Sequence, residues 1–344
     1  MRASPSVLRR SFARAVDAVA EATVVPSFSR IGIVVRRRLG AWDEPPRMDG
    51  QDVVVTGATS GIGLAAATAL CGLGATVHLV GRDAGRAERA RAAVESAGPG
   101  PVHVHLVDMA DPDDVAAFGL RLSGSLDRLA ALIHNAGALT PSYRATPGGV
   151  ELTVATQVLG PYVLTATVAP LLLCGSPPAT IVTVSSGGMY TQRFDLDRLE
   201  MRQSHYDGVT AYARAKRAQV VLAQAWAGRF ARAGVASFAM HPGWVDTPGL
   251  EAGLPGFKRL WRPVLRTPAE GADTAVWLAS GGPASFALAL GEPPPVSGFF
   301  HDRRRRTDWR PPLLRPTHHG DDEALLDWCE ARTGIPSAIV SEVP

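Results

Sequence analysis

Short runs of β-branched and other apolar residues alternate along this chain with longer segments in which apolar residues recur at helical spacing. The short runs predict strands over residues 52–56, 76–80, 102–107, 129–134, 181–185, 235–240 and 297–300. The longer segments predict helices near 61–73, 84–97, 112–122, 150–173 and 211–233. Because strands and helices alternate, we predict one α/β domain of the Rossmann type over residues 51–300, with a doubly wound parallel sheet.

Residues 1–50 have a different pattern and predict a basic N-terminal extension that ends in a linker. Residues 1–40 carry eight arginines against two acidic residues, and apolar residues recur between the arginines: Val7, Leu8, Phe12, Ala15, Val16 and Val19. Two interpretations are open, namely a basic amphipathic helix in peripheral contact with an anionic membrane, and an extension that is solvated or packs on the domain or on a partner subunit. Two prolines within residues 41–50 indicate the linker.

Residues 301–344 predict a C-terminal extension. The arginine run at 303–306 is typical of a solvated or membrane-facing segment. No aromatic residues are interleaved with it as single-stranded nucleic acid would require, so we predict no nucleic-acid partner. Residues 321–332 predict a short terminal helix.

The composition narrows the class of protein further. The net charge is only +3 over 344 residues, and no run of 18 apolar residues predicts a transmembrane helix. The three cysteines are widely spaced and lack a CxxC pattern, which indicates reduced thiols in a cytoplasmic protein. The histidines show no recognised ligand spacing, so we predict no metal site.

A glycine-rich segment from Thr56 to Gly63, with the sequence TGATSGIG, connects the first predicted strand to the first predicted helix. Its glycines permit a tight turn and let backbone N–H groups approach a pyrophosphate at the helix N-terminus. This strand–turn–helix context is the one that a dinucleotide site requires.

Lys216, one of only two lysines against 33 arginines, lies four residues after Tyr212. On a helix these two side chains share a face. A nearby ammonium favours the phenolate and is expected to lower the pKa of Tyr212 toward neutrality, which suits a general acid or base. The alternative is a surface tyrosine and lysine on an amphipathic helix.

Together with further motifs in the same order, the chain resembles the short-chain dehydrogenase/reductase family from about residue 50 to residue 300. Asp108 follows the third predicted strand, Asn135-Ala136-Gly137 follow the fourth, Ser186 follows the fifth, and Pro242-Gly243 with Thr247 follow the sixth. The resemblance implies catalytic roles for Ser186, Tyr212 and Lys216, with Gln157 in a proton relay. It also implies a cofactor-binding set of Gly57, Ser60, Gly61, Ile62, Gly63, Arg82, Asp108, Met109, Asn135, Ala136, Gly137, Tyr212, Lys216, Pro242, Gly243 and Thr247.

The implied chemistry is hydride transfer between a nicotinamide cofactor and a carbonyl carbon. Tyr212 would donate the proton to the resulting alkoxide, Ser186 would hydrogen-bond the carbonyl oxygen, and Lys216 would stabilise the phenolate and hold the ribose of the cofactor. Alcohol oxidation would use the same groups in the opposite protonation states.

The tip of the second strand bears on the choice of cofactor. Gly81 stands where an acidic residue would bind a ribose 2′-hydroxyl, and Arg82 offers a phosphate-binding fork. Asp83 is acidic and adjacent, and it can instead cap the following helix. The sequence favours NADP(H) over NAD(H).

Gln157 departs from the family pattern, which has asparagine at this position, three residues before Gly160. The longer amide leaves two hypotheses: an active oxidoreductase, and a weak or inactive nucleotide-binding member that acts as a regulator or interaction protein. The complete set of Ser186, Tyr212 and Lys216 favours the enzyme.

Tyr212 follows Ser186 by 26 positions, and this long insert resembles the retinol-dehydrogenase-like branch of the family. That branch implies a small lipophilic alcohol or carbonyl substrate. Met189, Tyr190 and residues 250–261 are expected to line the substrate site. Alternatively, residues 250–261 form a lid that packs on itself. The strand at 297–300 lies near a common dimer edge of related proteins, which predicts a homo-oligomer.

Overall fold

A computed structural model describes residues 16–18, 21, 23–40, 42–137, 139–309, 318 and 320–337. Val7, Leu8, Phe12, Ala15 and Val19 of the predicted amphipathic pattern lie outside these residues. Within the described part of the chain, no helix combines the length and apolar character needed to cross a membrane.

The described residues form an eight-stranded sheet. Its strands are β1 Asp52–Thr56, β2 Thr76–Gly81, β3 Val102–Leu106, β4 Ala131–His134, β5 Thr180–Val184, β6 Ala236–Met240, β7 Ser297–His301 and β8 Arg304–Arg306. The order is β3-β2-β1-β4-β5-β6-β7-β8, and all neighbours are parallel except β7 and β8. The strand order reverses between β1 and β4, which is where an open sheet of this class places its ligand.

Helices flank the sheet, as the alternating pattern predicts. They are α1 Val24–Phe28, α2 Arg30–Gly40, α3 Gly61–Gly72, α4 Ala84–Glu95, α5 Pro112–Ser123, α6 Leu152–Val154, α7 Gly160–Thr167, α8 Ala169–Leu173, α9 Gly208–Arg229, α10 Pro248–Gly253, α11 Pro255–Trp261, α12 Pro268–Ala279, α13 Gly282–Leu290 and α14 Asp321–Thr333. A π-helical turn, Ala155–Leu159, joins α6 to α7. Short 3₁₀ turns occupy Gly187–Thr191, Leu196–Arg198, Gln203–His205, Ala231–Ala233 and Arg262–Val264.

Successive residues of a central strand face opposite layers of the core. Val54 packs in the layer that contains Phe118 of α5 and Trp226 of α9, whereas Val55 packs with Trp277 of α12. Both faces of the parallel sheet are therefore covered, and the central strands β4 and β5 are buried along their whole length. The predicted fold class, a single doubly wound α/β domain, is confirmed.

The helix predicted over residues 150–173 is interrupted. The π-helical turn breaks it near Gln157, and a second break falls at Val168, two residues before Pro170. Proline lacks an N–H and restricts the residue before it, so the chain ends one helix and starts another there.

The arginine run at 303–306 is not a solvated or membrane-facing extension, and that prediction is wrong. Arg304 and Arg306 belong to β8, and both pair with Asp17, at 2.8 Å and 2.7 Å. Arg303 pairs with Asp273 at 2.7 Å. The last strand predicted from the sequence is likewise not the edge of the sheet, because β8 adds to it in antiparallel orientation.

Candidate active site

The turn between β1 and α3 lies at the point where the strand order reverses. Gly57 and Gly61 have φ values of +64° and +56°, which glycine adopts without strain. A Cβ atom at Gly63 would overlap both the side-chain amide of Asn135 and the carbonyl of Gly57. Ser60 is the N-cap residue of α3, and its side chain makes no capping hydrogen bond. The turn thus forms a cradle of backbone that suits a pyrophosphate at a helix N-terminus.

Asn135 fixes this turn to the end of β4. Its Nδ2 donates to the backbone oxygens of Thr56 and Gly57 at 2.9 Å and 3.2 Å. The backbone N–H groups of Asn135 and Ala136 both donate to Oγ1 of Thr56, at 3.0 Å and 3.1 Å. A Cβ atom at Gly57 would lie 2.8 Å from Cα of Ala136, so the two segments are in direct contact.

A cavity of about 410 Å³ opens at the ends of β2 and β3, and it is lined by Arg82, Asp83, Arg86, Leu106, Val107, Asp108 and Asp114. Two guanidinium groups therefore border one depression. Arg82 Nη1 lies 3.9 Å from Oδ2 of Asp108, and the Arg82 side chain is 58% exposed. A guanidinium held at such a rim can bind a phosphate.

The acidic residue beside Arg82 has a structural task. Oδ1 of Asp83 accepts the backbone N–H of Arg86 at 2.7 Å, so Asp83 is the N-cap of α4. This hydrogen bond lowers the pKa of Asp83 below its ordinary value. A Cβ atom at Gly81 would lie 2.4 Å from Cγ2 of Thr59, so a larger residue at the tip of β2 would require the Thr59 side chain to move. The capping interpretation of Asp83 is confirmed.

Asp108 and Met109 follow β3 at the same edge of the sheet. Oδ1 of Asp108 accepts the N–H of Ala110 at 3.0 Å, and its own N–H donates to Asp114 at 2.8 Å. Met109 is buried, and its carbonyl faces Gly160 so closely that no Cβ atom would fit there.

Helix α9 carries Tyr212 and Lys216, and it begins at a cap formed by Asp207, whose Oδ2 accepts the N–H of Thr210 at 2.8 Å. Nζ of Lys216 lies 5.5 Å from the centre of the Tyr212 ring, so the two share a face as predicted. Ser186, which follows β5, lies close enough to Tyr212 to lower the pKa of its phenol. The three side chains predicted to be catalytic are thereby brought together at the carboxyl end of β5.

Lys216 is 97% shielded from solvent and makes two hydrogen bonds, to the carbonyl of Val184 at 2.8 Å and to Oε1 of Gln219 at 2.9 Å. Oγ of Ser185 donates to the backbone carbonyl of Lys216 at 2.8 Å, which ties α9 to the strand end. No sequence motif predicted Gln219 as a partner of Lys216. Its position three residues after Lys216 on the same helix is the signal that identifies it.

The expected lowering of the Tyr212 pKa does not occur, and this prediction is wrong. Burial raises the pKa of Tyr212 to about 12, against a smaller lowering by the neighbouring Ser186 hydroxyl. Burial also lowers the pKa of Lys216 to about 7. Removal from water disfavours the charged form of each group, so in this arrangement Tyr212 is a neutral phenol near pH 7.

Gln157 lies in the π-helical turn and is fully buried. A Cβ atom at Gly137 would lie 3.0 Å from Oε1 of Gln157, so the amide rests directly against the segment that follows β4. Turns of this type occur often at functional sites. A larger residue at position 137 would require the Gln157 side chain to shift by a few tenths of an ångström.

The loop after β6 completes the crevice. Gly243 has a φ of +78°, and Pro242 precedes it. Thr247 caps α10 by accepting the N–H of Leu250 at 3.1 Å. Cγ2 of Thr247 would lie 3.2 Å from a Cβ atom at Gly61, so this loop reaches the glycine-rich turn. Ile62 of that turn faces Gly271 at the start of α12.

Two of the residues expected to line a substrate pocket, Met189 and Tyr190, lie in the interior of the protein. Met189 is fully buried and Tyr190 is 7% exposed, and both pack in a cluster with Phe28. The segment over residues 250–261 contributes Phe257 and Trp261, whose rings pack on Trp244 with centroid distances of 5.1 Å each. Leu260 beside them is 71% exposed. This aromatic trio of Trp244, Phe257 and Trp261 lies next to the loop after β6.

Comparisons with known proteins point to one family. The sequence profile described as short chain dehydrogenase matches residues 51–253. The chain is 38% identical over 285 residues to dehydrogenase/reductase SDR family member 12 of Bos taurus, which covers 83% of this chain and 86% of that protein. It is 34% identical over 264 residues to human retinol dehydrogenase 14, which covers 71% of this chain and 78% of that protein. The predicted likeness to the retinol-dehydrogenase-like branch is confirmed.

Solved structures agree with this assignment. An uncharacterised protein from Mycobacterium paratuberculosis superposes with a TM-score of 0.66 at 25% identity, over 85% of this chain and 97% of that one. A structure from Beutenbergia cavernae, described as an NAD(P)-dependent gluconate 5-dehydrogenase with bound NADP, gives a TM-score of 0.59 at 27% identity. That match covers 74% of this chain and 98% of the other.

Proposed function

The chain belongs to the short-chain dehydrogenase/reductase family of oxidoreductases, and from that premise we propose that it interconverts an alcohol and a carbonyl group on a small lipophilic substrate with NADP(H) as cofactor. The observation that carries this proposal is the cluster of Ser186, Tyr212 and Lys216 at the carboxyl end of β5. A nucleotide-binding regulator has no chemical need for these three side chains together.

Tyr212 is the proposed general acid for carbonyl reduction. NADP(H), when bound, supplies or accepts the hydride. Because burial raises the pKa of Tyr212 to about 12, its phenol keeps the proton near pH 7 until an alkoxide develops beside it. Ser186, which lies beside Tyr212, orients the carbonyl oxygen for this transfer. Lys216, whose Nζ lies 5.5 Å from the centre of the Tyr212 ring, stabilises the phenolate that remains.

The preference for NADP(H) rests on the adenosine end of the crevice. Arg82 and Arg86 border the same cavity, Asp83 is engaged as a helix cap, and the tip of β2 is Gly81, which carries no competing carboxylate. NADP is bound in the Beutenbergia cavernae structure, whose fold this chain shares. Arginine pairs with phosphate through parallel charge-assisted hydrogen bonds, which lysine cannot reproduce.

A lipophilic substrate fits the aromatic trio of Trp244, Phe257 and Trp261 beside the loop after β6. Retinol dehydrogenase 14 is among the relatives, and apolar walls with few polar groups are usual in sites for such molecules. We propose a cytoplasmic enzyme. Peripheral membrane contact through the N-terminal extension and homo-oligomer formation stay predictions, which liposome co-sedimentation and light scattering of the full chain would test.

Tyr212→Phe tests the catalytic proposal. We expect this variant to lose turnover of lipophilic aldehydes and ketones, followed by NADPH absorbance, while its NADPH dissociation constant changes less than about threefold. Tyr162→Phe is the matched control, since Tyr162 is a buried tyrosine whose hydroxyl donates to the carbonyl of Ile335 at 2.7 Å, away from the crevice. Equal activity of wild type and Tyr212→Phe would refute the assignment.

The buried Gln157 supports an alternative function, in which the protein binds the nucleotide, has little activity and acts through a protein partner. NADPH binding without turnover across a broad panel of aldehydes, ketones and alcohols would favour that function. Turnover of any panel member that depends on Tyr212 would exclude it.

A further inference from the structure

The N-terminal extension packs against two loops that border the site that we propose to be catalytic. Helices α1 and α2 are joined by a tight turn at Ser29, and Phe28 at the end of α1 is only 4% exposed. Its ring lies between the loop after β5 and the loop after β6. These are the loops that carry Ser186-Gly187 and Pro242-Gly243.

The ring of Phe28 is enclosed by aromatic side chains at or just after the ends of three strands, β5, β6 and β7. It packs on His241 with a centroid distance of 4.4 Å, on His301 at 5.5 Å, on Trp244 at 6.2 Å and on Tyr190 at 6.3 Å. A ring surrounded in this way cannot rotate out of place without moving its neighbours. The surrounding side chains therefore fix the position of the Phe28 ring, and the ring in turn fixes theirs.

The same residue contacts the two loops through positions where a side chain would not fit. A Cβ atom at Gly187 would lie 2.5 Å from Cε2 of Phe28, and one at Gly243 would lie 2.5 Å from its carbonyl oxygen. The N–H of Trp244 donates to that oxygen at 2.7 Å. Gly187 is the residue directly after Ser186, so the contact is one residue away from the proposed catalytic serine.

A buried ionic network holds the turn in place. Arg266 donates to the carbonyls of Ser27 and Phe28, at 2.8 Å and 3.1 Å, and Arg36 donates to that of Ser27 at 3.2 Å. Asp302 pairs with both arginines at 2.6 Å, and all three side chains are 1% exposed. Burying charges is costly unless every partner is placed correctly, so this network selects one position for the turn.

We propose that Phe28 is a positioning residue of the active site and that the segment from α1 to α2 is the rear wall of that site rather than a free arm. The ring braces the loops after β5 and β6 and thereby sets where Ser186 and the Pro242-Gly243 segment lie. This inference rests on the proposed function for its kinetic readout. It assigns a role to residues outside the matched family region, which begins at residue 51.

A double-mutant cycle between positions 28 and 187 tests the brace. Gly187→Ala adds a methyl group where the enclosed ring cannot yield, so the Ser186 backbone must shift; we expect kcat to fall on the order of tenfold to a hundredfold. Phe28→Leu removes the atoms that this methyl group would strike. In the double variant kcat should recover to the value of Phe28→Leu alone, which a merely structural role of Phe28 would not produce.

Phe118→Leu is the matched control, because Phe118 is also a buried phenylalanine and it packs in the core layer of α5, on His105. It should lower the thermal midpoint without rescuing Gly187→Ala and without changing the NADPH dissociation constant. Rescue by Phe118→Leu, or equal kcat loss in the double variant and in Gly187→Ala, would overturn the proposal.

Hydrogen–deuterium exchange separates this inference from the proposed function. In Phe28→Leu, amides of residues 187–191 and 243–245 should exchange at least about tenfold faster, whereas those of β1 should not change. If the wild-type protein turns over nothing and exchange still rises, the proposed function fails and the brace stands. If exchange at both loops is unchanged, the brace is refuted whatever the activity.

Discussion

Arg82→Ala should weaken NADPH binding and leave NADH binding nearly unchanged. The two cofactors differ by one phosphate, and a hydrogen bond to a charged group contributes about 1.5–3 kcal/mol. The Arg82 side chain is 58% exposed, so solvent screening favours the lower end of that range. A loss near 1.4 kcal/mol corresponds to a dissociation constant about tenfold higher for NADPH.

Arg86 borders the same cavity, and its side chain is 50% exposed. It can partly replace Arg82, so the double variant Arg82→Ala/Arg86→Ala should lose more than either single variant and approach equal affinity for both cofactors. Arg91→Ala removes the same charge from the outer face of α4, where Arg91 pairs with Glu95 at 3.1 Å. This control should bind NADPH like the wild type.

Fluorescence titration of each variant with NADPH and NADH, at low and at moderate salt, provides the measurement. The NADPH preference of the wild type should decline as salt rises, because an exposed arginine–phosphate pair is screened. If Arg82→Ala weakened both cofactors by the same factor, the cavity would not be a 2′-phosphate site. Equal affinities in the wild type would refute the NADP(H) assignment directly.

Three further outcomes follow from buried groups. Burial lowers the pKa of His134 to about 3, against about 6.5 in the unfolded chain. The unfolded state therefore binds more protons below pH 6.5, and the free energy of unfolding declines by about 1.4 kcal/mol per pH unit as pH falls from 6.5 toward 3. His134→Gln should reduce this pH dependence, as measured by urea unfolding at pH 7.5 and 5.0. Gln157→Asn should raise kcat several-fold at an unchanged NADPH dissociation constant if the longer amide hinders the proton relay, and an unchanged kcat would contradict that hindrance. Asp302→Asn should cost about 3–5 kcal/mol of unfolding free energy because two buried arginines lose their carboxylate, whereas Asp49→Asn at the surface should change the urea midpoint far less.

The strands and most helices could be predicted because their signals are local. A run such as Val53 to Val55 is buried on both faces and carries no polar residue, and Asp83 and Asp207 mark helix starts by their capping side chains. The motifs of the candidate site are local as well, since Gly57 and Gly63 stand in one turn and Tyr212 and Lys216 stand on one helix.

What the sequence did not reveal depends on contacts between distant segments or on burial. Asp302 pairs with Arg36 across 266 positions, and no local pattern distinguishes this aspartate or the arginines that follow it. The pKa of Tyr212 was misjudged because spacing shows that a cation is near but not how much water both groups lose. The wall formed by Phe28 could not be predicted because its partners lie more than 150 positions away in the sequence.

The same separations impose an order on folding. The carbonyl of Ser27 receives its hydrogen bonds from Arg266, 239 positions later, and contacts His301, 274 positions later. During synthesis the N-terminal turn leaves the ribosome early, yet it has no binding place until β6, β7 and Asp302 exist. Contacts of such high sequence separation form late because the loop they close must be ordered first. The rear wall of the site therefore forms only when the rest of the domain has folded. A chain interrupted before residue 302 would contain the nucleotide-binding strands but would lack this wall.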